Sequence, residues 1–322
     1  MPAAPSLISI AVGQSALPTA LRGGVAALGN FDGVHKGHQA LLAEARRVAD
    51  GSAPVLALTF DPHPRRYFLP DAPSFQLDNL ARKTQLLTAL GAQAVAVIRF
   101  DAALAALSPE AFISDILVRD LGLRHVVVGY DFTFGKGRAG NTAMLESLGG
   151  AQGIGLSIVQ SQGDAQGAYS STRIRSLLQA GAPDQAAELL GRYWEVEGAV
   201  LHGDQRGRTI GFPTANVDMG DYLVPRLGVY AIRARLADGT ERDGVANLGL
   251  RPTFGKDAVA LEAHLFDFQG DIYGQKLRVA FVGFIRPERK FAGLDELKAQ
   301  IAADAAQARN VLAREILARS PR

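Results

Sequence analysis

The chain has 322 residues, 48% apolar and 20% charged, which is longer than one hydrophobic core usually grows and too apolar for disorder, so two cored domains are expected. Its 34 basic and 32 acidic residues are interspersed and leave a net charge of +2, which supplies no basic face for nucleic acid. Cysteine is absent, excluding disulfides, thiolate metal sites and cysteine nucleophiles together. Met1 to Pro5 carries no basic or apolar leader pattern, and no stretch approaches the ~20 apolar residues of a membrane span. The reading is a soluble, cytoplasmic protein with neither nucleic-acid nor membrane partners and no oligomeric state assigned.

In chain order, Val25 to Leu28, Val55 to Phe60, Ala94 to Ile98 and Val126 to Val128 read as short apolar strands. Between them, Gln39 to Val48, Asp78 to Leu90 and Ser108 to Leu121 read as helices, the last two closed by Gly91 and Gly122. This alternation predicts an α/β domain whose parallel sheet is wrapped by helices and binds ligands at the carboxyl ends of its strands. Helices over Thr172 to Ala180 and Pro183 to Leu190 follow, stopped by Gly181 and Gly191, and the domains are divided as 1–186 and 187–322. Beyond that point the period becomes two: Val229 and Ala231 precede Arg233 and Arg235, and Leu261, Ala263 and Leu265 alternate with Glu262 and His264. Antiparallel strands in a small closed barrel are expected. From Leu294 the helical period returns, with Leu297, Ile301, Ala305, Ala308 and Leu312 on the same stripe, expected to pack on the barrel. No internal repeat relates the halves.

Two segments carry chemistry. In the first, Gly29, Asn30, Phe31, Asp32 and Gly33 follow a strand, and His35 to His38 opens a helix, so backbone amides and a positive helix end face the region beyond the sheet. His35 and His38 share a helical face, and Gly37 leaves room for a phosphate; two imidazoles there can donate to charge developing at phosphorus. Incidental structural histidines, or zinc held by His35, His38 and His63, are the competing readings. Asp32 and the glycines favour an anion. Asp131, Phe132, Phe134, Lys136 and Arg138 sit in a loop after the fourth strand, but Gly135-Lys136-Gly137 lacks the hydroxyl residue that a Walker loop needs after lysine.

Together with Thr59 to Pro64 (TFDPHP) and Ser170 to Arg175 (SSTRIR), the segment GNFDGVHKGH resembles the nucleotidyltransferase half of bacterial bifunctional riboflavin kinase/FAD synthetase. The resemblance spans nearly the whole chain. It implies a Rossmann-like HxGH domain in which His35 and His38 steady the ATP phosphates while an FMN phosphate attacks the α-phosphorus. It brings Ser171, Thr172 and Arg175 onto the triphosphate and flavin near Phe60, Asp61, His63, Asp131 and Phe132. From the residues alone, Ser170 or Ser171 is equally a helix cap and Arg175 a surface charge. Thr133 and Tyr169 depart from the family's usual basic residue and isoleucine.

The second segment, Gly211 to Asn216 (GFPTAN), follows the polar loop from His202 to Arg208, and the two together resemble the kinase half's GRxxGFPTAN signature. Pro213 fixes φ and presents Thr214 and Asn216 on one side of an extended strand, where their oxygens suit Mg²⁺ and phosphate. ATP contacts are expected at Gly203, Arg208, Gly211, Thr214 and Asn216, with Thr214 and Asn216 as metal ligands. The resemblance makes Glu262 the base for the riboflavin 5′-hydroxyl; on pattern alone it is the outward polar member of an alternating strand. Tyr193 stands where many relatives have proline.

The expected function is a bifunctional enzyme that makes FMN from riboflavin and FAD from FMN, each with Mg²⁺ and one ATP. The alternatives are an adenylyltransferase for another acceptor with a regulatory barrel, and a flavin carrier without catalysis.

Overall fold

The computed structural model describes residues 6–202, 211–253 and 256–319. Its contacts define two compact units, Met1–Pro73 with Asp78–Ser170, and Ser74–Leu77 with Ser171–Arg322.

In the first unit six strands, β1 (Ser6–Ile10), β2 (Val25–Leu28), β3 (Val55–Asp61), β4 (Ala94–Arg99), β5 (His125–Gly129) and β6 (Gly155–Val159), form one sheet in the order β1-β4-β3-β2-β5-β6. Every pairing is parallel. The connecting helices are α1 (Lys36–Ala49), α2 (Pro64–Phe68), α3 (Leu80–Ala89), α4 (Ala102–Ala106), α5 (Pro109–Ala111) and α6 (Thr142–Ala151). The stretch expected to be one regular helix over Ser108 to Leu121 is α5 followed by wide π-helical turns at Phe112–Asp120, closed by Leu121 N–H donating to Ile116 O at 2.9 Å. A short hairpin, β7 (Gly163–Asp164) and β8 (Gly167–Ala168), follows the sheet.

Alternation along the strands gives the sheet two apolar faces, as a parallel sheet covered on both sides requires. Ala26, Leu28, Leu56, Leu58, Val126 and Val128 pack with Phe112, Ile113, Ile116 and Leu117 of the π-helical stretch. Val25, Ala27, Val55, Ala57, Val95 and Val127 pack with Leu41, Leu42 and Ala45 of α1 and Leu87 of α3. Strand order reverses between β2 and β5, since β3 and β4 build outward on one side and β6 on the other. Such a reversal opens a crevice at the strands' carboxyl ends.

The second unit begins with α7 (Ser171–Ala180) and α8 (Pro183–Leu190). Six antiparallel strands, β9 (Trp194–Leu201), β10 (Ala215–Val217), β11 (Gly228–Arg235), β12 (Glu241–Thr253), β13 (Lys256–Leu265) and β14 (Lys276–Arg286), close a barrel in the order β10-β13-β12-β11-β14-β9. Trp194 is fully buried against Phe281, and its indole N–H donates to Leu77 O at 2.8 Å, which satisfies the one polar atom such a ring carries inside. At Gly228, with φ of 148°, a Cβ would lie 2.3 Å from Arg286 O, so the bulged pairing of β11 with β14 needs glycine.

The last helix, α9 (Leu294–Arg319), uses only part of its expected stripe on the barrel. Ala308 and Leu312 are buried against Val229, Ala231 and Val282, with Ala305 beside them. Leu294 is exposed, and Leu297 and Ile301 line a cavity instead. The buried Asp304 fastens that part of the helix, taking Arg286 Nη2 at 2.7 Å and Gln300 Nε2 at 2.7 Å.

Candidate active sites

The loop after β2 occupies the reversal point of the sheet. Its backbone is strained: Phe31, Gly33 and Val34 have φ of 50°, 85° and 40°. A positive φ costs a β-branched residue such as valine most, of order 1–3 kcal/mol, and persists only where surroundings over-determine it. Phe31 and Val34 are both buried, the Thr59 hydroxyl donates to Asn30 O at 3.1 Å, and Gln39 Nε2 donates to Val34 O at 3.0 Å. Asp32 is buried too, with Oδ1 accepting from Asp78 N–H at 3.3 Å. Its carboxylate shapes the loop from inside.

His35 caps α1, its Nδ1 accepting from His38 N–H at 3.4 Å, so in the neutral ring Nε2 carries the proton. The two imidazoles stack 3.7 Å apart, and Phe31 meets His38 edge-on at 5.2 Å. The small size of Gly37 serves this stack: a Cβ there would lie 3.1 Å from the His35 ring. His38 is half-buried, and its Nδ1 is buried with no hydrogen-bond partner among the described residues. Burial, then the charges of His35 and Lys83, hold its pKa well below the ordinary 6.5.

His38 is therefore a neutral donor of one N–H. Since the unfolded chain takes up a proton near pH 6.5 that the folded ring refuses, His38 draws stability from the fold as pH falls through about 6.5, and none above it. In an NMR titration its ring signals are expected to hold their neutral positions from about pH 8 to about pH 6. Movement centred near 6.5 would contradict the dry placement.

Of the residues expected near flavin, Phe60 is partly buried and meets Phe100 edge-on at 6.0 Å, while Asp61 is exposed. His63 caps α2 through Nδ1, which accepts from Arg65 N–H at 3.1 Å. Among the described residues no group of three His, Asp or Glu is arranged to hold a metal ion, so zinc on His35, His38 and His63 has no support. Phe132 is stacked on Phe134 at 5.6 Å beside the exposed Asp131, which leaves one ring face of Phe132 already used. Tyr67 and Phe68 of α2, which sequence reasoning passed over, extend this aromatic group through Phe100. Ser171, Thr172 and Arg175 belong to the second unit, in the first turns of α7. Arg175 Nε donates to Phe75 O at 2.8 Å.

In the barrel, Asn216 of β10, Glu262 of β13 and Asn247 of β12 stand in one cross-strand row. Leu261 and Ala263, flanking Glu262, are fully buried and hold its strand rigid. Two cavities open here. One, of about 210 Å³, is lined by Pro213, Thr214, Ala215, Phe268, Ile272 and Tyr273. The other, of about 310 Å³, takes Asn247, Glu262, His264, Phe291, Leu297 and Ile301. Thr214 is the residue common to both linings. Gly211 is exposed at the start of this segment. Gly203 and Arg208, and with them the expected flap, lie outside the described residues.

Sequence reasoning also passed over His264. Its Nδ1 lies 2.8 Å from Pro213 O, and since a carbonyl only accepts, Nδ1 carries the proton. Phe212 and Phe266 meet the ring edge-on at 5.5 and 5.9 Å. The bond fixes the peptide that leads into Thr214. His264→Phe keeps the ring packing and removes the bond, so turnover in the barrel is expected to fall roughly three- to tenfold, as one hydrogen bond allows. An unchanged rate would show that Pro213 holds its own conformation.

Comparison with known proteins agrees with this division. A family model described as FAD synthetase matches residues 17–173, and one described as riboflavin kinase matches residues 190–312. A Pseudomonas fluorescens bifunctional riboflavin kinase/FMN adenylyltransferase is 42% identical over 91% of this chain and 94% of its own length. The proteins of the same description from Escherichia coli (strain K12) and Bacillus subtilis (strain 168) are 41% and 39% identical, over 89% and 88% of this chain and 92% and 91% of their own. A solved Streptococcus pneumoniae structure, described as a macrolide-efflux protein, superposes with TM-score 0.85 at 31% identity, covering 94% of this chain and 99% of its own.

Proposed function

The chain belongs to the bifunctional riboflavin kinase/FMN adenylyltransferase family, and we propose how its residues divide the two reactions. The enzyme phosphorylates riboflavin to FMN and adenylylates FMN to FAD, with residues 187–322 assigned to the first step and 1–186 to the second. The proposal gives Ser171, Thr172 and Arg175 to adenylyl transfer, although they pack within the second unit.

In the barrel, ATP occupies the cavity beside Pro213 and Tyr273, and riboflavin the one lined by Phe291, Leu297 and Ile301. The observation that carries this reading is Thr214, which borders both cavities just before β10, the strand whose Asn216 pairs with Glu262. Glu262 takes the proton of the riboflavin 5′-hydroxyl as that oxygen attacks the γ-phosphorus, and ADP leaves. The Thr214 hydroxyl and the Asn216 amide oxygen suit a hard cation, and these two residues would hold Mg²⁺. Mg²⁺ would supply charge neutralisation on the phosphates. Gly203, Arg208 and Gly211 complete the ATP contacts.

In the α/β unit the strained loop from Gly29 to Gly33 offers backbone amides to the triphosphate at the sheet's reversal point. His35 and the neutral His38 donate N–H groups to charge developing as an FMN phosphate oxygen attacks the α-phosphorus and pyrophosphate leaves. No covalent enzyme intermediate forms. Phe60, Asp61, His63, Asp131 and Phe132 receive the flavin. We assign the enzyme to the cytoplasm, where ATP for both steps is supplied.

Each half-reaction is tested separately on the full chain. Riboflavin with Mg-ATP is expected to yield FMN and ADP, and supplied FMN with Mg-ATP to yield FAD and pyrophosphate, both ceasing with a chelator. Phosphorylation that survives chelation would remove the metal role from Thr214 and Asn216.

A further inference from the structure

We infer that Phe75, a residue outside both signature segments, is a positioning residue for adenylyl transfer: its carbonyl and its ring together hold the Arg175 guanidinium in one orientation before ATP arrives. The inference rests on assigning Arg175 to the triphosphate.

Phe75 belongs to a short segment, Ser74–Leu77, that lies between α2 and α3 in the chain yet packs with the second unit. Its successive carbonyls anchor it there. Phe75 O accepts from Arg175 Nε at 2.8 Å, Gln76 O from Leu223 N–H at 2.8 Å, and Leu77 O from the Trp194 indole N–H at 2.8 Å. Gln76 also pairs with Tyr222 as an isolated parallel bridge, and Phe75 and Leu77 are 3% and 0% exposed. A segment bonded at each of these peptides and buried at alternate side chains is a rigid support rather than a loose connection.

Arg175 rises from α7, which buries Ile174 and Leu178, and is itself half-buried. Its guanidinium carbon lies 5.5 Å from the centroid of the Phe75 ring. An aromatic face attracts a cation, and the carbonyl fixes the guanidinium through Nε, so two contacts from one residue set both its position and its tilt. Arginine otherwise carries much rotamer freedom that binding would remove, and a side chain held beforehand has already lost it. The bond to Phe75 uses Nε and not the Nη fork, whose geometry is the one that matches phosphate oxygens. Any residue at position 75 could supply the carbonyl. Only an aromatic one supplies the ring, so leucine there keeps an apolar buried side chain and the main-chain bond and removes the aromatic face alone.

The test uses Phe75→Leu, Phe75→Tyr, Arg175→Met and the Phe75→Leu, Arg175→Met double variant in the full chain. The readout is KM and kcat for ATP in FMN adenylylation, with riboflavin phosphorylation as the check on folding. Phe75→Leu is expected to raise that KM about three- to tenfold with kcat within about twofold of wild type, because an oriented Arg175 holds ATP equally before and during transfer. Phe75→Tyr, which keeps the ring, is expected to stay within about twofold of the wild-type KM. Arg175→Met is expected to raise KM about tenfold or more, and adding Phe75→Leu to it to change KM by less than about twofold. An unchanged KM in Phe75→Leu, a fall in kcat without a change in KM, a Phe75→Tyr protein as impaired as Phe75→Leu, or a Phe75→Leu effect that persists in full without Arg175 overturns the inference. If Phe75→Leu does not fold, Phe75→Met, which also lacks a ring, carries the same expectations and the same contradictions. A wild-type KM in Arg175→Met is a different result, which removes the underlying assignment of Arg175 and the inference with it.

Discussion

His38→Ala is expected to lower FAD formation from FMN by about 10²–10³-fold, the usual cost of one donor to developing charge, while leaving riboflavin phosphorylation unchanged. The ring is placed for that single task. It stacks on His35 at 3.7 Å, meets Phe31 edge-on and is kept neutral by burial, so it offers a fixed N–H without a standing positive charge. His38→Gln retains a donor on a longer side chain and is expected to lose less than His38→Ala. Initial rates with supplied FMN, and with riboflavin under the same conditions, give both numbers. A folded His38→Ala protein that has lost both activities would end the division into two sites.

Glu262→Gln is expected to do the reverse, lowering FMN formation by about 10²–10⁴-fold while adenylylation of supplied FMN continues. Glutamine keeps the shape and the cross-strand neighbours Asn216 and Asn247, so the loss reports the carboxylate's basicity. Glu262→Ala is expected to lose as much. If Glu262→Gln keeps more than about a tenth of the rate, Glu262 is a polar strand residue and the base lies elsewhere.

The parts of the fold that could be read from residues are those whose local pattern matches their final environment. β2, β3, β4 and β5 are continuous apolar runs because both sheet faces are covered, and the barrel's alternation at Leu261 to Leu265 survives intact. β1 and β6 escaped notice because they are the sheet's two edges, where Ser6, Ser9, Gly155 and Ser157 interrupt any apolar run. α6 escaped because Gly149 and Gly150 lower its helix propensity. The stripe of α9 was visible, but periodicity cannot separate a side chain that packs on a barrel from one that lines a cavity, and Leu297 and Ile301 do the latter.

The sites divide similarly. The glycines, the histidines, Thr214, Asn216 and Glu262 stand in contiguous motifs. His264 acts through a partner far away in sequence, Pro213, and only the fold brings the two together. Its one signal was chemical: a histidine in step with Glu262 on its strand.

The most direct measurement supplies riboflavin and Mg²⁺ with ATP labelled either at the γ- or at the α-phosphorus, and follows the label into flavins separated by chromatography. FMN is expected to appear first, carrying γ-label and no α-label, followed by FAD carrying both. FAD without γ-label, or α-label entering any flavin other than FAD, would contradict two successive ATP-dependent steps in one chain.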